Sequence, residues 1–246
     1  MSRNKTARFA EMRHFSNVFQ PPIAKEDAFE FKGQWNQRVF NNQHPIILEL
    51  GCGKGEYTIG LSSAFPHNNY IGVDIKGARM YVGAKYALQH NLTNVAFLRT
   101  RIELIENFFN KEEIDQIWIT FPDPQPKKKW TKKRLTSSYY QNKYFNILKQ
   151  NAVLHLKTDS LFLYQYTFQL LIKNNVTILA HSDNVYHTPW LNHLPPITTY
   201  YESLFLQQGK NITYIQWSKP QKELVELSDE EFDQIEEQYL RPSIQK

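Results

Sequence analysis

The chain has 246 residues, of which 41% are hydrophobic and 14% aromatic, so it can bury a sizeable core and is not expected to be disordered. Cys52 is the single cysteine, which excludes an internal disulfide and a multi-cysteine zinc site, and the histidines show no ligand spacing, so we expect no metal. No apolar run is long enough to cross a bilayer, and the first residues lack the apolar core of a signal peptide. The sequence therefore predicts a cytoplasmic protein that does not enter a membrane.

The net charge of +5 is unevenly distributed along the chain. Residues 221–246 hold three basic and eight acidic side chains, a net charge of −5, so residues 1–220 carry +10. Six basic residues crowd into positions 127–134, directly after a proline-rich turn, where like charges repel one another. A basic body with a separate acidic end predicts a polyanionic partner, with nucleic acid as the first candidate. A solvated lysine-rich loop would give the same pattern.

Short apolar runs alternate with segments of helical spacing between residues 45 and 217. Seven runs predict strands, at 45–50, 70–75, 95–98, 116–121, 152–157, 176–180 and 212–217. Segments between them predict helices, at 56–65, 78–91, 102–109, 137–149 and 161–174. This alternation predicts an α/β fold with a doubly wound, Rossmann-like sheet of seven strands, covered by helices on both faces.

The chain also divides into three predicted segments. Residues 1–40 predict a basic N-terminal arm with a lead-in helix, residues 41–220 contain the sheet domain, and residues 221–246 form an acidic tail. In the tail, Ser228 and Glu231 have the spacing of a capping box, which predicts a terminal helix.

The first predicted strand runs into the glycine-rich sequence LELGCGKGEY. Gly51, Gly53 and Gly55 allow a tight turn and a close approach of a ligand, and Asp74, at the end of the second strand, can accept hydrogen bonds from ribose hydroxyls. The spacing is not the G-x-G-x-x-G of dinucleotide-binding proteins, and Glu49 would repel a pyrophosphate but attract an ammonium or a sulfonium. A positively charged nucleoside ligand is predicted; the alternative is a plain glycine turn whose acidic neighbour caps a helix.

The pattern E-x-G-x-G-x-G resembles the first motif of class I S-adenosylmethionine-dependent methyltransferases. This resemblance implies that the glycine loop lies under the amino-acid part of the cofactor and that Asp74 holds the ribose. Methyltransferases that act on exocyclic base amines carry D/N-P-P-Y/F after the fourth strand, whereas this chain has FPDPQP, with no aromatic residue after the second proline. A different nucleophile is therefore predicted.

Residues 121–135, FPDPQPKKKWTKKRL, resemble F-x-D-P-W-P-K-K-x-H-x-K-R-R-L, the signature of the bacterial single-chain tRNA (guanine-N7)-methyltransferases. LELGCGKG with YIGVDI, then HLKTDS, then TTYYESLFLQQGKNITYI match that family in order, so the resemblance covers roughly residues 40–217. It implies a mostly parallel sheet with a late antiparallel strand. It also implies methyl transfer from S-adenosylmethionine to N7 of guanine-46 in the variable loop of tRNA.

The resemblance further implies a set of site residues. Asp123 is implied as the catalytic residue between cofactor and guanine, where a carboxylate can stabilise the positive charge that passes to the purine; otherwise it would cap the next turn. The implied cofactor-binding residues are Glu49, Gly51, Gly53, Gly55, Asp74, Arg101, Ile102 and Asp123. The implied tRNA-binding residues are Lys127, Lys128, Lys129, Lys132, Lys133, Arg134, Asp159, Thr199, Tyr200, Tyr201 and Glu202.

Some of these residues have an alternative role. Asp159 either accepts hydrogen bonds from the guanine edge or caps the helix that follows. Tyr200 and Tyr201 either contact the substrate or pack in the core. Trp130 either stacks on a base or ribose or anchors the basic run in the core.

Two positions depart from the family pattern. Gln125 stands where the family has Trp, and Arg101 stands where the family has an acidic residue that contacts the adenine amino group. Because Arg cannot accept that hydrogen bond, its guanidinium would stack on adenine, or the backbone of Arg101 and Ile102 would recognise it. Two other functions stay open, an NAD-dependent oxidoreductase of similar fold and a non-catalytic RNA-binding protein on a degenerate methyltransferase fold. We expect a monomer or a homodimer.

Overall fold

A computed structural model describes residues 3–21, 29–187 and 194–240, and within them one eight-stranded sheet. The strands are β1 (Val18–Phe19), β2 (Ile46–Leu50), β3 (Asn69–Asp74), β4 (Val95–Arg99), β5 (Ile114–Thr120), β6 (Leu148–Thr158), β7 (Ile178–Ser182) and β8 (Thr213–Ser218). Their order is β1-β4-β3-β2-β5-β6-β8-β7, and every pairing is parallel except those of β8 with β6 and β7. The predicted α/β sheet with a late antiparallel strand is confirmed. It has eight strands instead of seven because the N-terminal arm contributes β1.

Seven α-helices accompany the sheet in the described part of the chain. They are α1 (Arg3–Met12), α2 (Glu56–Ala64), α3 (Gly77–Gln89), α4 (Ser138–Ile147), α5 (Leu161–Lys173), α6 (Tyr200–Gln207) and α7 (Asp229–Tyr239). The segment predicted as a helix at 102–109 forms a 3₁₀ turn instead, Ile102–Asn107. The helix α6 was not predicted from the sequence. The capping box that begins α7 is present as predicted, with reciprocal bonds between Ser228 and Glu231. Residues 1–2 and 22–28 of the predicted arm and residues 241–246 of the tail lie outside the described residues.

The adjacent strands β2 and β3 are buried along their whole length. Every residue of β2 and β3 is buried, which explains why their sequences are continuous apolar runs instead of alternating ones. Aromatic residues from the N-terminal segment complete the core, with the Phe19 ring centroid 5.0 Å from those of Phe31 and Trp35. The N-terminal segment is thus part of the folded unit. No helix in residues 3–21, 29–187 or 194–240 is long and apolar enough to cross a bilayer.

The two-residue strand β1 covers one edge of the sheet. Val18 and Phe19 pair in parallel with Phe97 and Leu98 of β4, and the Phe97 N–H donates to the Asn17 carbonyl at 2.8 Å. Without β1, the backbone groups of β4 on that side would have no strand partner.

The order of strands places the functional end of the sheet. β2 pairs with β3 on one side and with β5 on the other, so the chain reverses its direction of winding at β2. Ligands of open α/β sheets bind beyond the carboxyl ends of the strands at such a reversal. The segments that follow β2, β3, β5 and β6 therefore meet at one edge.

Candidate active site

A cleft of about 540 Å³ lies at this edge, within the usual size range of small-molecule sites. Residues after β2, β3, β5 and β6 line it, together with the start of α6. The sequence-predicted residues among its walls are Glu49, Gly51, Gly53, Asp74, Asp123, Lys133, Asp159, Thr199 and Tyr201. Residues that are distant in the chain are thus brought together as the motif order predicted.

The three loop glycines have left-handed backbones but different tasks. Their φ angles are +77° at Gly51, +55° at Gly53 and +74° at Gly55. A Cβ atom at Gly51 or Gly53 would meet no atom closer than 3.7 Å, so these two leave open space above the backbone. A Cβ atom at Gly55 would lie 2.6 Å from the Phe97 ring, so Gly55 serves the packing of α2 on β4, and it does not line the cleft.

Glu49 is a buried carboxylate at the floor of the cleft. It accepts hydrogen bonds from the Thr58 N–H at 2.8 Å, from the Thr58 hydroxyl and from the Thr120 hydroxyl at 2.7 Å. Burial raises the pKa of Glu49 to about 7, although these hydrogen bonds oppose the shift. Sequence analysis missed both threonines, because Thr58 reaches Glu49 through the packing of α2 on the sheet and Thr120 reaches it through the pairing of β5 with β2.

Asp74 lies where a ribose can be held. One carboxylate oxygen accepts from the Gly53 N–H at 2.9 Å and the other from the Lys76 N–H at 2.7 Å, so the loop and the start of α3 fix its orientation. Each carboxylate oxygen keeps a lone pair that can accept from a ligand. The open glycine backbone, the buried Glu49 and this acceptor pair fit the ammonium group and the ribose of S-adenosylmethionine.

The turn after β5 presents Asp123 to the cleft. Phe121 and Gln125 on either side both have φ near +47°, a conformation that non-glycine residues rarely adopt. The Phe121 N–H donates to the Lys157 carbonyl at 2.8 Å, and the Gln125 N–H donates to an Asp123 carboxylate oxygen at 3.2 Å. Asp123 is exposed and lines the cleft, so its carboxylate faces any ligand there. The constrained turn around it is typical of a functional position.

Most of the basic run is exposed as predicted. Lys127, Lys129, Lys132 and Lys133 are exposed on and beside a 3₁₀ turn. Trp130 is half-buried, with the ammonium groups of Lys127 and Lys133 at 4.9 and 5.6 Å from the centroid of its ring. Lys128 instead forms ion pairs with Asp233 at 2.9 Å and Asp229 at 3.2 Å in α7.

The prediction that Arg134 contacts tRNA phosphates is wrong. Its side chain is fully buried, and its guanidinium donates to the carbonyls of Gln125 and Lys127 at 3.0 and 3.1 Å. A buried guanidinium with these partners cannot meet a phosphate on the surface. Its charge and its place in the sequence assigned it to the basic run, but in the fold aromatic rings surround it.

Glu202 is also misassigned as a direct tRNA contact. Its carboxylate is fully buried, forms an ion pair with Lys157 of β6 at 2.7 Å and accepts from the Tyr186 hydroxyl at 2.9 Å. Burial lowers the pKa of Lys157, and the charge of Glu202 opposes that shift. This pair holds the start of α6 onto the sheet, because Lys157 belongs to β6. Thr199 caps the same helix by accepting from the Glu202 N–H at 3.2 Å.

The remaining predicted residues divide between the cleft and the surface beside it. Tyr200 and Tyr201 are exposed, which excludes the core-packing alternative. Asp159 is paired with Lys210 at 2.7 Å, and the helix cap of α5 is Ser160, so Asp159 does not have the capping role. Arg101 is exposed, and neither it nor Ile102 is among the residues that line the cleft, so the expected contact of these two with the cofactor has no support in this geometry.

Sequence analysis missed a contact between the glycine loop and the start of α6. Glu56 accepts from the Tyr200 N–H at 2.8 Å, and the Lys54 ammonium lies 4.5 Å from the centroid of the Tyr200 ring. Lys54 and Glu56 both line the cleft and lie inside the glycine-rich sequence, so their position in that sequence could have identified them as site residues. Lys76 and Arg79 add positive charge to the same walls.

Comparison with known proteins agrees with this geometry. Residues 43–215 match a family model described as a putative methyltransferase. The solved 16S rRNA methyltransferase KamB is 10% identical with a TM-score of 0.58, over 79% of this chain and 97% of that one. An antibiotic-related methyltransferase is 16% identical with a TM-score of 0.56, over 79% of this chain and 96% of that one. The fold and the site define a class I methyltransferase.

Curated relatives identify the family within this class. The tRNA (guanine-N(7)-)-methyltransferase of Bacteroides thetaiotaomicron is 45% identical over 95% of this chain and 92% of its own length. The protein of the same name from Christiangramia forsetii is 49% identical over 88% of this chain and 98% of its own length. The chain belongs to the tRNA (guanine-N7)-methyltransferase family, and the NAD-dependent alternative is therefore wrong.

Proposed function

We propose that this protein transfers the methyl group of S-adenosylmethionine to N7 of guanine-46 in the variable loop of tRNA. The observation that carries the proposal is the position of Asp123, which faces the cleft from a constrained turn, with the exposed lysines beginning at Lys127 in the same segment. A small charged ligand and a polyanion can therefore meet at one carboxylate. We further propose that residues 41–220 carry the activity, with residues 1–40 and 221–246 as flanking segments, and that the protein works in the cytoplasm as a monomer or a homodimer.

The cofactor site is built from the ends of β2 and β3. S-adenosylmethionine supplies a methyl group on a positively charged sulfur. Glu49 would hold the ammonium of its amino-acid part, Asp74 would accept from its ribose hydroxyls, and Gly51 and Gly53 leave room for it against the backbone. The negative charges at the floor of the cleft favour a cationic ligand.

The reaction requires alignment more than proton transfer. Guanine N7 carries a lone pair and no proton, so the site needs no general base and has to bring N7 into line with the methyl group. As positive charge passes to the purine ring, the Asp123 carboxylate stabilises it. Asp159, also in the cleft and paired with Lys210, would be an acceptor for the guanine N1–H and amino group.

Cofactor binding should depend on pH through Glu49. Its pKa of about 7 in the free protein means that it is largely protonated at lower pH, whereas a bound ammonium stabilises the carboxylate. Binding below pH 7 then releases a proton, so affinity for S-adenosylmethionine is expected to rise by up to about tenfold per pH unit and to level off above the pKa. Calorimetric titration across this range measures the effect. Glu49→Gln should bind weakly with a flat profile, and a flat profile in the wild type would contradict the assignment.

The exposed lysines should govern the salt dependence of tRNA binding. Replacing Lys129 and Lys132 together with Ala is expected to weaken binding and to lower the slope of log K against log salt by up to about 2, because two phosphate contacts are lost. Lys128→Ala is the matched control, since its ammonium is held by Asp229 and Asp233 and should change the slope less. Filter binding at several salt concentrations gives both slopes. An equal effect of Lys128→Ala would mean that tRNA displaces α7 from this lysine.

The proposed function is tested by methyl transfer from labelled S-adenosylmethionine to unmodified tRNA, followed by chain cleavage at N7-methylguanine. Cleavage at guanine-46 alone is the expected result. Cleavage at another guanine would keep the activity and reject the position. Bound tRNA without transfer would instead favour the non-catalytic RNA-binding alternative, for which the departures at Arg101 and Gln125 are the sequence support.

A further inference from the structure

Arg134 is a buried cation whose guanidinium donates to two backbone carbonyls and one hydroxyl. Its Nε donates to the Gln125 carbonyl at 3.0 Å, Nη2 donates to the Lys127 carbonyl at 3.1 Å, and Nη1 donates to the Thr131 hydroxyl at 2.9 Å. The side chain has no exposed surface, although it belongs to a sequence of otherwise largely exposed lysines. A buried charge is retained only where its partners compensate the loss of water, so these hydrogen bonds define what the residue does.

Three aromatic rings hold the guanidinium in place from the other side. Its central carbon lies 5.2, 4.6 and 4.7 Å from the ring centroids of Phe162, Tyr166 and Phe232. Phe162 and Tyr166 belong to α5, and Phe232 belongs to α7, which lies beyond the residues matched by the family model. The arginine therefore joins the turn after β5 to two helices, one of them in the acidic tail.

The hydrogen bonds of Gln125 connect this anchor to the reacting end of the cleft. The Gln125 carbonyl accepts from Arg134, while its N–H donates to the Asp123 carboxylate at 3.2 Å. Gln125 has φ of +47°, so its two peptide groups are held in a conformation that a free chain would seldom keep. If the Gln125 carbonyl lost its bond to Arg134, the backbone of Gln125 could relax, and its N–H would turn away from Asp123.

We propose that Arg134 is a positioning residue for methyl transfer, which anchors the turn of Asp123 to α5 and α7 and so fixes the direction of its carboxylate. The proposal rests on the proposed role of Asp123 at the reacting atoms. Arginine suits this task because its planar fork donates in several directions at once, whereas a lysine ammonium at the same place is a single point donor. Arg134 makes no contact with the ligand itself in this role.

The test compares Arg134→Lys with the wild type in three measurements. The single-turnover rate of methyl transfer at saturating tRNA and S-adenosylmethionine is expected to fall by about tenfold to hundredfold, since small displacements of an aligned group have effects of this size. The dissociation constant for S-adenosylmethionine should stay within about twofold, and the slope of tRNA affinity against salt should not change, because no phosphate contact is lost. A folded Arg134→Lys protein with the wild-type rate would overturn the proposal, and so would a reduced salt slope.

A second pair of variants keeps the proposal testable if Arg134→Lys does not fold. Phe232→Leu removes the ring that faces the guanidinium from α7, and Ile235→Ala perturbs the other buried position of the same helix. Slower transfer in Phe232→Leu but not in Ile235→Ala supports the anchor, and equal rates in the two variants reject it. Asp123→Asn separates the two proposals. Wild-type methyl transfer in Asp123→Asn would remove the role of Asp123. If Asp123→Asn loses transfer while Arg134→Lys or Phe232→Leu keeps the normal rate, only the role of Arg134 is removed.

Discussion

Asp123→Asn should reduce the rate of methyl transfer by about 10²–10³-fold, the usual effect of removing one electrostatic stabiliser from a transition state. Asparagine keeps the shape of the side chain and an oxygen that can accept from the Gln125 N–H, but it loses the negative charge that faces the cleft. Because Asp123 is exposed, the free energy of unfolding should change by no more than about 0.5 kcal/mol. Single-turnover kinetics with saturating tRNA, together with thermal melting, measures both quantities.

The matched control for this variant is Glu230→Gln, which removes an exposed carboxylate from α7. It should leave the transfer rate and the affinity for S-adenosylmethionine unchanged. If Asp123→Asn binds the cofactor normally and still transfers methyl groups at the wild-type rate, the carboxylate at the centre of the proposed site has no catalytic role.

The second large effect concerns stability. Glu202→Ala leaves the buried ammonium of Lys157 without its partner, and breaking a buried ion pair in this way costs about 3–5 kcal/mol of unfolding free energy. The second carboxylate oxygen of Glu202 has no hydrogen-bond partner among the described residues, so the pair is incompletely satisfied. Urea unfolding of the variant should therefore show a clear shift to lower denaturant concentration.

Two controls separate this explanation from a direct role in tRNA binding. The double variant Lys157→Met with Glu202→Leu replaces the pair by apolar groups and should recover most of the lost stability. Glu237→Ala, at an exposed position of α7, should have little effect on stability. If Glu202→Ala instead melts like the wild type and loses only tRNA affinity, the carboxylate contacts the RNA and the buried pair is not what holds α6.

Much of the fold was accessible from the sequence because its strands are buried on both faces. Runs such as IILEL between residues 46 and 50 are continuous and mostly apolar, and the glycines after them indicate a tight turn. The capping box of Ser228 and Glu231 spans only four residues, so the start of α7 could be predicted without knowledge of the fold. The strand β1 could not be predicted, because two residues are too few to show the alternation typical of a strand and its partner β4 lies far along the chain.

The errors in the predicted site share one physical cause. Arg134 and Glu202 carry charges, and charged residues are expected at the surface, but both are fully buried by residues of other elements. The rings around Arg134 come from α5 and α7, and the partner of Glu202 comes from β6, so no local pattern reveals either environment. Lys128 differs from its exposed neighbours for the same reason, because Asp229 and Asp233 are about 100 positions away.

The edge strand β1 has a consequence for the handling of this protein. Val18 and Phe19 occupy the outer side of β4, whose own residues Val95 to Leu98 are apolar and buried. A chain shortened at its N-terminus past residue 19 would expose this strand as a flat apolar template, and two such molecules could pair edge to edge. We therefore expect truncated forms to precipitate or form irregular oligomers while their circular dichroism still shows an intact sheet, so loss of solubility in such a form would reflect an uncovered edge and not an unfolded active site.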